Sequence, residues 1–91
     1  MTPKEYMGLI AQMPCALCGD RPVHVHHIRE GQGMAQRASD FLTIPLCPSC
    51  HQGPNGVHGD RAMMKIMKKS ELDMLADTIK ASHKMRHMSQ L

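Results

Sequence analysis

Two pairs of cysteines constrain this sequence more than any other feature. Cys15 and Cys18 form the first pair, Cys47 and Cys50 form the second, and 28 residues separate the two pairs. Two thiolates with two residues between them can reach one ion, and a second pair completes the four-coordinate shell that Zn²⁺ adopts in structural sites. The spacing therefore predicts a structural zinc bound by all four cysteines. The binding energy of that ion would become folding energy.

Length and composition agree with a metal-stabilised domain. The chain has 91 residues, one Phe, one Tyr, no Trp and ten Met, so large aromatic side chains for a core are scarce. A single small domain of this kind often needs an added cross-link. The first residues lack the apolar region of a secretion signal, which favours a reducing cytoplasm and metal ligands over the alternatives of two disulfides or buried free thiols. No run of residues is apolar enough to span a membrane.

Local patterns predict the elements around the cysteines. Thr2, Pro3 and Glu5 form the signature of a capped helix over residues 3–12. Alternating residues predict strands over 23–28 and 41–46. A further helix is expected from Val57, and a capping signature over 70–73 starts a C-terminal helix over 70–85. Apolar residues at helical spacing are expected to form the inner faces of these last two helices: Met63, Ile66, Met67, Leu72, Leu75, Ala76 and Ile79.

Seven histidines are present, and four of them lie near the cysteine pairs in the sequence. If zinc joins the pairs, the strand carrying His26 and His27 lies near His51, and His58 can fold back to the same place. Neighbours on a strand point to opposite faces, so His26 and His27 cannot easily bind one ion. One can bind a metal while the other acts as a general base. The alternative is that they are ordinary polar residues, which is the interpretation given to His24, His83 and His87.

The motif order CALC, HVHHI, IPLCPSCH and a further histidine resembles the pattern of the HNH nucleases. The segments VHHIREGQGMAQRAS and LTIPLCPSCH are similar, more narrowly, to the recombination-enhancement nucleases of bacteriophages and prophages, which act with a RecA-type recombinase. The resemblance covers about residues 13–80. It implies an α+β fold, with a small ββα-metal core over residues 13–69, a four-cysteine zinc and flanking helices, in a single domain over 1–91.

The resemblance also implies roles for individual histidines. His27 corresponds to the general base. His26, in a place often held by Asp, corresponds to a ligand of a second divalent cation, which would be Mg²⁺, Mn²⁺ or Zn²⁺. His51 and His58 correspond to the other two ligands of that cation.

Two departures from the family pattern concern the same region. The middle Asn of the family is replaced here by Leu42, and Asp40 is the nearest polar residue that could orient His27. The segment 53–56 contains two glycines and a proline, so the usual continuous helix cannot easily run through it to His58.

The formal net charge of +3 leans toward a polyanionic partner. Arg29 and Arg37 are the first candidates for contacts to the DNA backbone because they flank the proposed site; Lys65, Lys68 and Lys69 are further candidates. The expected function is hydrolysis of DNA phosphodiester bonds, with DNA and a RecA-type filament as partners. The main alternative is a non-catalytic zinc module that binds DNA or protein, and a third is a redox or metal-storage protein.

Overall fold

The structure is a computed structural model, and it describes residues 1–33, 36–53 and 62–89. These residues form six elements in the order α1 (Pro3–Ile10), β1 (His24–His27), β2 (Thr43–Leu46), α2 (Pro48–Gln52), α3 (Ala62–Met67) and α4 (Glu71–Ser89). The fold is α+β, with one two-stranded sheet among the described elements. None of these described helices has both the length and the apolar character needed to cross a membrane.

Both predicted capping signatures are confirmed. The Thr2 hydroxyl accepts a hydrogen bond from the Glu5 backbone N–H at 3.1 Å, and the Glu5 carboxylate accepts one from the Thr2 N–H at 3.2 Å. At the start of α4, Ser70 Oγ accepts from the Asp73 N–H at 3.1 Å, and the Asp73 carboxylate accepts from the Ser70 N–H at 3.0 Å. These reciprocal bonds satisfy N–H groups that a helix start otherwise leaves without partners.

The two strands pair antiparallel, with His24 opposite Leu46 and His27 opposite Thr43. All four residues of β2 are buried because helices α1, α2 and α4 all pack against this strand. Pro45 fits there because its carbonyl accepts the Ala16 N–H at 2.8 Å, on the side away from β1. In an antiparallel strand the N–H and C=O of one residue point the same way, so the missing proline N–H removes no bond to β1.

Buried apolar residues form two clusters, one on each side of β1. The smaller one joins Tyr6, Ile10 and Met13, and Val25 packs against it. The larger one contains Ile28 together with residues from β2, α2, α3, α4 and both cysteine pairs: Cys15, Leu17, Ala38, Ile44, Leu46, Cys47, Cys50, Met64, Met74 and Leu75. Val25 and Ile28 thus pack against different clusters, as the predicted alternation requires, whereas Val23 packs against the cluster that contains Ile28.

The predicted inner faces of the last two helices are wrong at most positions. Leu72 and Ile79 are about half exposed, at 50% and 47%, and Ile66 is 70% exposed. The buried face of α4 instead carries three polar residues, Glu71, Thr78 and Ser82, together with Met74 and Leu75. Only Leu75 belongs to both sets for α4. The physical reason is that Glu71 docks onto the end of β1, and this fixes the rotation of the helix about its axis.

The predicted element boundaries shift by a few residues. Helix α1 ends at Ile10, two residues before the expected end, and α4 continues to Ser89, beyond the expected residue 85. The strands are shorter than the predicted 23–28 and 41–46. The helix expected from Val57 begins outside the described residues, which resume at Ala62 in α3.

Candidate functional site

The four cysteines come together as the spacing predicts. One sulfur atom from each of Cys15, Cys18, Cys47 and Cys50 lies within 4.8 Å of every other, and all four thiols are free of disulfides. Cys18 Sγ and Cys47 Sγ are 3.5 Å apart. A tetrahedral zinc with Zn–S bonds near 2.3 Å places its sulfur ligands about 3.8 Å apart. The cluster therefore fits a metal ion with only small movements of the side chains.

Backbone hydrogen bonds hold the first cysteine pair against the sheet. Cys15 Sγ accepts the N–H groups of Leu17 and Cys18 at 3.4 and 3.5 Å. Gly19 donates its N–H to the Cys15 carbonyl at 2.9 Å and has a φ of +85°, a conformation that glycine adopts without steric cost. The turn predicted at Gly19 is confirmed, and it points the two thiols toward the second pair.

The second pair is placed by α2. Cys47 is the cap residue of this helix and Cys50 lies inside it. The His51 N–H donates to the Cys47 carbonyl at 2.9 Å, so His51 is fixed directly beside the sulfur cluster. The helix ends at Gln52, and a Cβ at Gly53 would collide with the Ser49 carbonyl. The expected interruption of the helix before His58 is therefore observed at Gly53.

The pKa values of the thiols differ within the cluster. Burial opposes ionisation of Cys15, but N–H groups from Cys47, Cys18 and Leu17 outweigh it and lower its pKa to about 7. Burial raises the pKa of Cys18 to about 11, and the thiols of Cys47 and Cys15 add to the rise. Burial also raises the pKa of Cys50, and the other three thiols add to that shift. One thiolate is thus favoured and further ones are opposed, and a bound cation would favour ionisation of all four thiols.

His27 lies at the side of the sheet with Asp40 and Arg37. Its Nε2 is 2.7 Å from Asp40 Oδ1, as the proposal that Asp40 orients His27 requires. The Arg37 Nη2 lies 2.8 Å from the same ring nitrogen and 3.2 Å from the Asp40 carboxylate. The Arg37 side chain is 69% exposed, whereas His27 and Asp40 are 20% and 36% exposed. A partly sheltered imidazole–carboxylate pair therefore opens to solvent beside a guanidinium group.

The Nε2 atom of His27 cannot form the same kind of hydrogen bond with Asp40 and with Arg37. Nε2–H can donate to Asp40, or an unprotonated Nε2 can accept from Arg37, which only donates. In the first state the lone pair of the neutral ring is on Nδ1, and Asp40 stabilises the imidazolium that forms when Nδ1 takes a proton. The arrangement is that of an oriented base with a cation held next to it.

His26 points to the other face of β1 and is buried at 3% exposure. Its Nε2–H donates to the Glu71 carboxylate at 2.6 Å. Glu71 is buried at 2% exposure and also accepts the backbone N–H groups of Arg29 and Glu30, at 3.0–3.2 Å. Burial raises the pKa of Glu71, but the bonds from His26, Arg29 and Glu30 outweigh it and lower the pKa below 4.5. Glu71 is therefore an ionised carboxylate that ties α4 to the end of β1.

Sequence reasoning missed Glu71. An acidic residue directly after a capping serine is common at exposed helix starts, where it favours the positive end of the helix. Only a weak feature of the sequence distinguishes Glu71 from such exposed residues. It lies three residues before Met74 and four before Leu75, so it falls on an apolar face of the helix.

His24 also received no role from the sequence, and the structure places it in a histidine cluster. Its Nδ1 lies 2.9 Å from the Nδ1 of His51. The His51 ring is 5.2 Å from the His24 ring and 5.0 Å from the His26 ring, measured between centroids, and both pairs are close to edge-on. We call His24, His26 and His51 the imidazole cluster.

The remaining predicted site residues are not all placed together. His58 lies outside the described residues. Arg29 follows β1 and its backbone is bonded to Glu71, while Arg37 lies on the His27 side. Within the described ranges, the four cysteines are the one group in which three or more ligand atoms approach within 4.8 Å. The ligand atoms of the imidazole cluster do not meet this distance criterion, so the second cation is a proposal.

Comparisons with known proteins assign the chain to a family. A curated relative, "Uncharacterized protein YdfU" of Escherichia coli (strain K12), is 32% identical over 74 residues, which cover 79% of this chain and 20% of that protein. The chain thus spans about a fifth of the length of the relative. No solved structure matches it. The description "Protein of unknown function (DUF968)" matches residues 1–85 of the 91, and the chain therefore belongs to the DUF968 family.

Proposed function

We propose that this chain is a metal-dependent DNA endonuclease of the HNH type. The main support for the proposal is that two adjacent histidines of β1 face different partners. His26 faces Glu71 and the His51 ring, whereas His27 faces Asp40 and Arg37. A hydrolytic site needs a ligand that holds a cation and a base that activates water, and these must be close without competing for the same ion.

The order of elements supports the same proposal. Strands β1 and β2 form an antiparallel pair, and α2 follows directly with the motif Cys47-Pro-Ser-Cys50-His51. The resemblance to the HNH nucleases requires a strand carrying two histidines, a second strand and then a helix carrying the last histidine. In this proposal His26 and His51 bind the cation, with His58 as the third ligand.

The Glu71 carboxylate suits a metal-binding role for His26. A carboxylate that accepts from one ring nitrogen fixes the tautomer of the imidazole and raises its basicity, an arrangement common around metal-bound histidines. With Nε2–H donated to Glu71, the ligand atom of His26 is Nδ1. The donor set of imidazoles fits borderline divalent ions such as Zn²⁺, Ni²⁺ and Mn²⁺.

The base would be His27. A neutral imidazole with Nε2–H bonded to Asp40 takes a proton from water at Nδ1, and the resulting hydroxide attacks phosphorus while the bond to the leaving oxygen breaks. Asp40 holds the ring in place and stabilises the imidazolium. Arg37, already next to His27, contributes a positive charge that can contact a non-bridging phosphate oxygen.

The divalent cation would stabilise the charge that develops on the phosphate and on the departing oxygen. Arg29 and Arg37 would contact the DNA backbone, and such contacts position DNA without selecting a sequence. We therefore propose low sequence specificity and a DNA substrate presented by a partner, for which a RecA-type recombinase filament is the candidate.

The first test is cleavage of supercoiled plasmid by the zinc-loaded protein with added Mg²⁺ or Mn²⁺. His27→Ala is expected to reduce the cleavage rate by roughly 10²–10⁴-fold, the usual contribution of a general base. His83→Ala is the matched control, because His83 is an exposed histidine on α4, away from β1. Asp40→Asn should reduce the rate while leaving the metal content unchanged.

The outcomes separate the nuclease from its alternative. Undiminished cleavage by the His27→Ala protein would reject the assigned base. If the wild-type protein cuts no DNA, alone or with a recombinase filament, the chain is a non-catalytic zinc module. In that case its DNA affinity, measured at two salt concentrations, becomes the decisive quantity, since backbone contacts weaken steeply with salt.

A further inference from the structure

We propose that His24 and His51 form a two-imidazole binding site for a divalent transition-metal ion such as Ni²⁺, Cu²⁺ or Zn²⁺. The inference adds His24 as a ligand, a residue to which neither the sequence nor the proposed cleavage reaction gives a role. It shares His51 with the proposed nuclease site, but it does not depend on DNA cleavage.

The distance between the two ring nitrogens is the main argument. The Nδ1 atoms of His24 and His51 are 2.9 Å apart. Two imidazoles on a tetrahedral ion, with metal–nitrogen bonds of about 2.0–2.1 Å, have their ligand nitrogens about 3.4 Å apart. An ion therefore needs the two rings to separate by only about half an ångström, which exposed side chains can do by small rotations.

The chemistry of the contact points the same way. Imidazole nitrogens have one donor and one acceptor per neutral ring, so a direct Nδ1–Nδ1 hydrogen bond forces the two rings into opposite tautomers. A divalent ion bound by both rings takes the place of the shared proton, because each nitrogen then donates its lone pair to the metal. In the structure a proton bridges the two Nδ1 atoms, and in the proposed site a metal ion would bridge them instead.

Both histidines are held by regular secondary structure, so the pair is set in position before an ion arrives. His24 is the first residue of β1 and is paired with Leu46 across the sheet. His51 belongs to α2, with its N–H bonded to the Cys47 carbonyl. A site on such elements loses little conformational entropy when it binds a ligand.

Exposure allows an ion to reach this pair from solvent. His24 is exposed and His51 is half-buried, in contrast to His26, whose ring is buried and bonded to Glu71. The His26 ring lies beside the pair, with its centroid 5.0 Å from that of the His51 ring. His24 is the exposed member of the pair, so water or an added ligand can reach its ring.

The sulfur cluster and the imidazole pair can be loaded in sequence. Thiolates are the softer ligands and four of them hold zinc tightly, whereas imidazole nitrogens also suit Ni²⁺ and Cu²⁺. Zinc supplied at one equivalent should therefore fill the four-cysteine cluster first. A second ion, added as Ni²⁺, then reports on the histidine sites, and His24→Ala isolates the imidazole pair because His24 is not a ligand of the proposed nuclease site.

The test is Ni²⁺ binding to protein that carries one zinc per chain, measured by calorimetry and by elemental analysis after dialysis. The wild-type protein should bind one further equivalent. His24→Ala and His51→Ala should each weaken the Ni²⁺ affinity at least tenfold, and His83→Ala should leave it unchanged. Zinc content and circular dichroism are recorded for each variant, so that misfolded preparations are recognised and excluded.

A spectroscopic readout covers the case in which a variant still binds Ni²⁺ elsewhere. Cu²⁺ bound to the wild-type protein should show coupling to two imidazole nitrogens by electron paramagnetic resonance, and to one in His24→Ala. Equal Ni²⁺ affinity of wild type and His24→Ala, or an unchanged Cu²⁺ spectrum, overturns the proposal. Because no DNA is present, failure here leaves the nuclease proposal standing, and a failed cleavage assay leaves this site standing.

Discussion

The sulfur cluster and the imidazole cluster both gather potential metal ligands, but they are assembled differently. The four thiols come from two short motifs, and the N–H groups that hold Cys15 belong to residues within or beside those motifs. The imidazole cluster draws on β1 and α2, and its buried anchor, Glu71, is 45 residues away from His26 in sequence. The first arrangement is local and closed, and the second depends on the packing of a distant helix.

The largest effect should follow from loss of the sulfur-bound ion. Replacing Cys47 by Ser, or removing metal with a chelator, should unfold most of the domain, because three of the four cysteines, including Cys47, lie in the main core cluster and metal binding to such sites contributes on the order of 10 kcal/mol. Circular dichroism and zinc content measure the change. Zinc-free protein that keeps its cooperative thermal transition would show that the sulfur cluster is not the structural anchor.

The second largest effect should follow from removing the anchor of the imidazole cluster. Glu71→Ala removes the acceptor of hydrogen bonds from three donors, the N–H groups of Arg29 and Glu30 and the Nε2–H of the buried His26. We expect a loss of about 3–5 kcal/mol in the free energy of unfolding. Urea denaturation of the zinc-loaded protein measures it. Glu30→Ala is the matched control, because Glu30 is exposed, and it should change stability by less than about 0.5 kcal/mol.

The same carboxylate predicts how stability depends on pH. The folded state holds the pKa of Glu71 below 4.5, so the unfolded chain binds more protons in acid. The stabilisation is therefore complete above that value and is lost as the pH falls through the lower pKa of the folded state. Glu71→Gln should flatten this part of the profile. An unchanged acid limb in the variant would mean that the carboxylate is not ionised in the folded protein.

The smallest effects are expected from substitutions at the N-termini of α1 and α4. Ser70→Ala and Thr2→Ala should each cost about 1 kcal/mol, because each removes a hydroxyl that accepts a helix N–H, whereas Ser70→Gly should cost only a few tenths. The two caps differ in their neighbours. Ser70 precedes Glu71, so its loss should also weaken Ni²⁺ binding slightly if α4 positions the imidazole cluster. Thr2→Ala should leave Ni²⁺ binding unchanged, and equal effects of both on Ni²⁺ would contradict this link.

The two clusters also explain which features the sequence could predict. Cysteine spacing is a local signal with a direct geometric meaning, and the position of Gly19 and both capping signatures belong to the same class. Asp40 is the polar residue nearest to the position of the family's middle Asn, and the structure brings it to His27. Each of these predictions depended on a short motif or on the spacing between motifs.

The features that could not be predicted depend on which face of a helix is buried. Apolar spacing placed Leu72 and Ile79 inward, but the bonds made by Glu71 turn α4 so that these side chains are about half exposed. The position of His24 beside His51 depends in turn on how α2 sits against β1. Both outcomes result from competition between burial of apolar surface and satisfaction of a few buried polar groups, and a linear pattern does not contain that balance.

The four-residue length of β1 has a consequence for how this sequence can diverge. Successive side chains leave a strand in opposite directions, so a shift in phase by one position would exchange the surroundings of His26 and His27. One inserted or deleted residue between Gly19 and His24 would present the wrong ring to Glu71 and the wrong ring to Asp40. Length variation among relatives should accordingly be rare in that stretch and concentrate after Glu30, where it leaves the alternation intact.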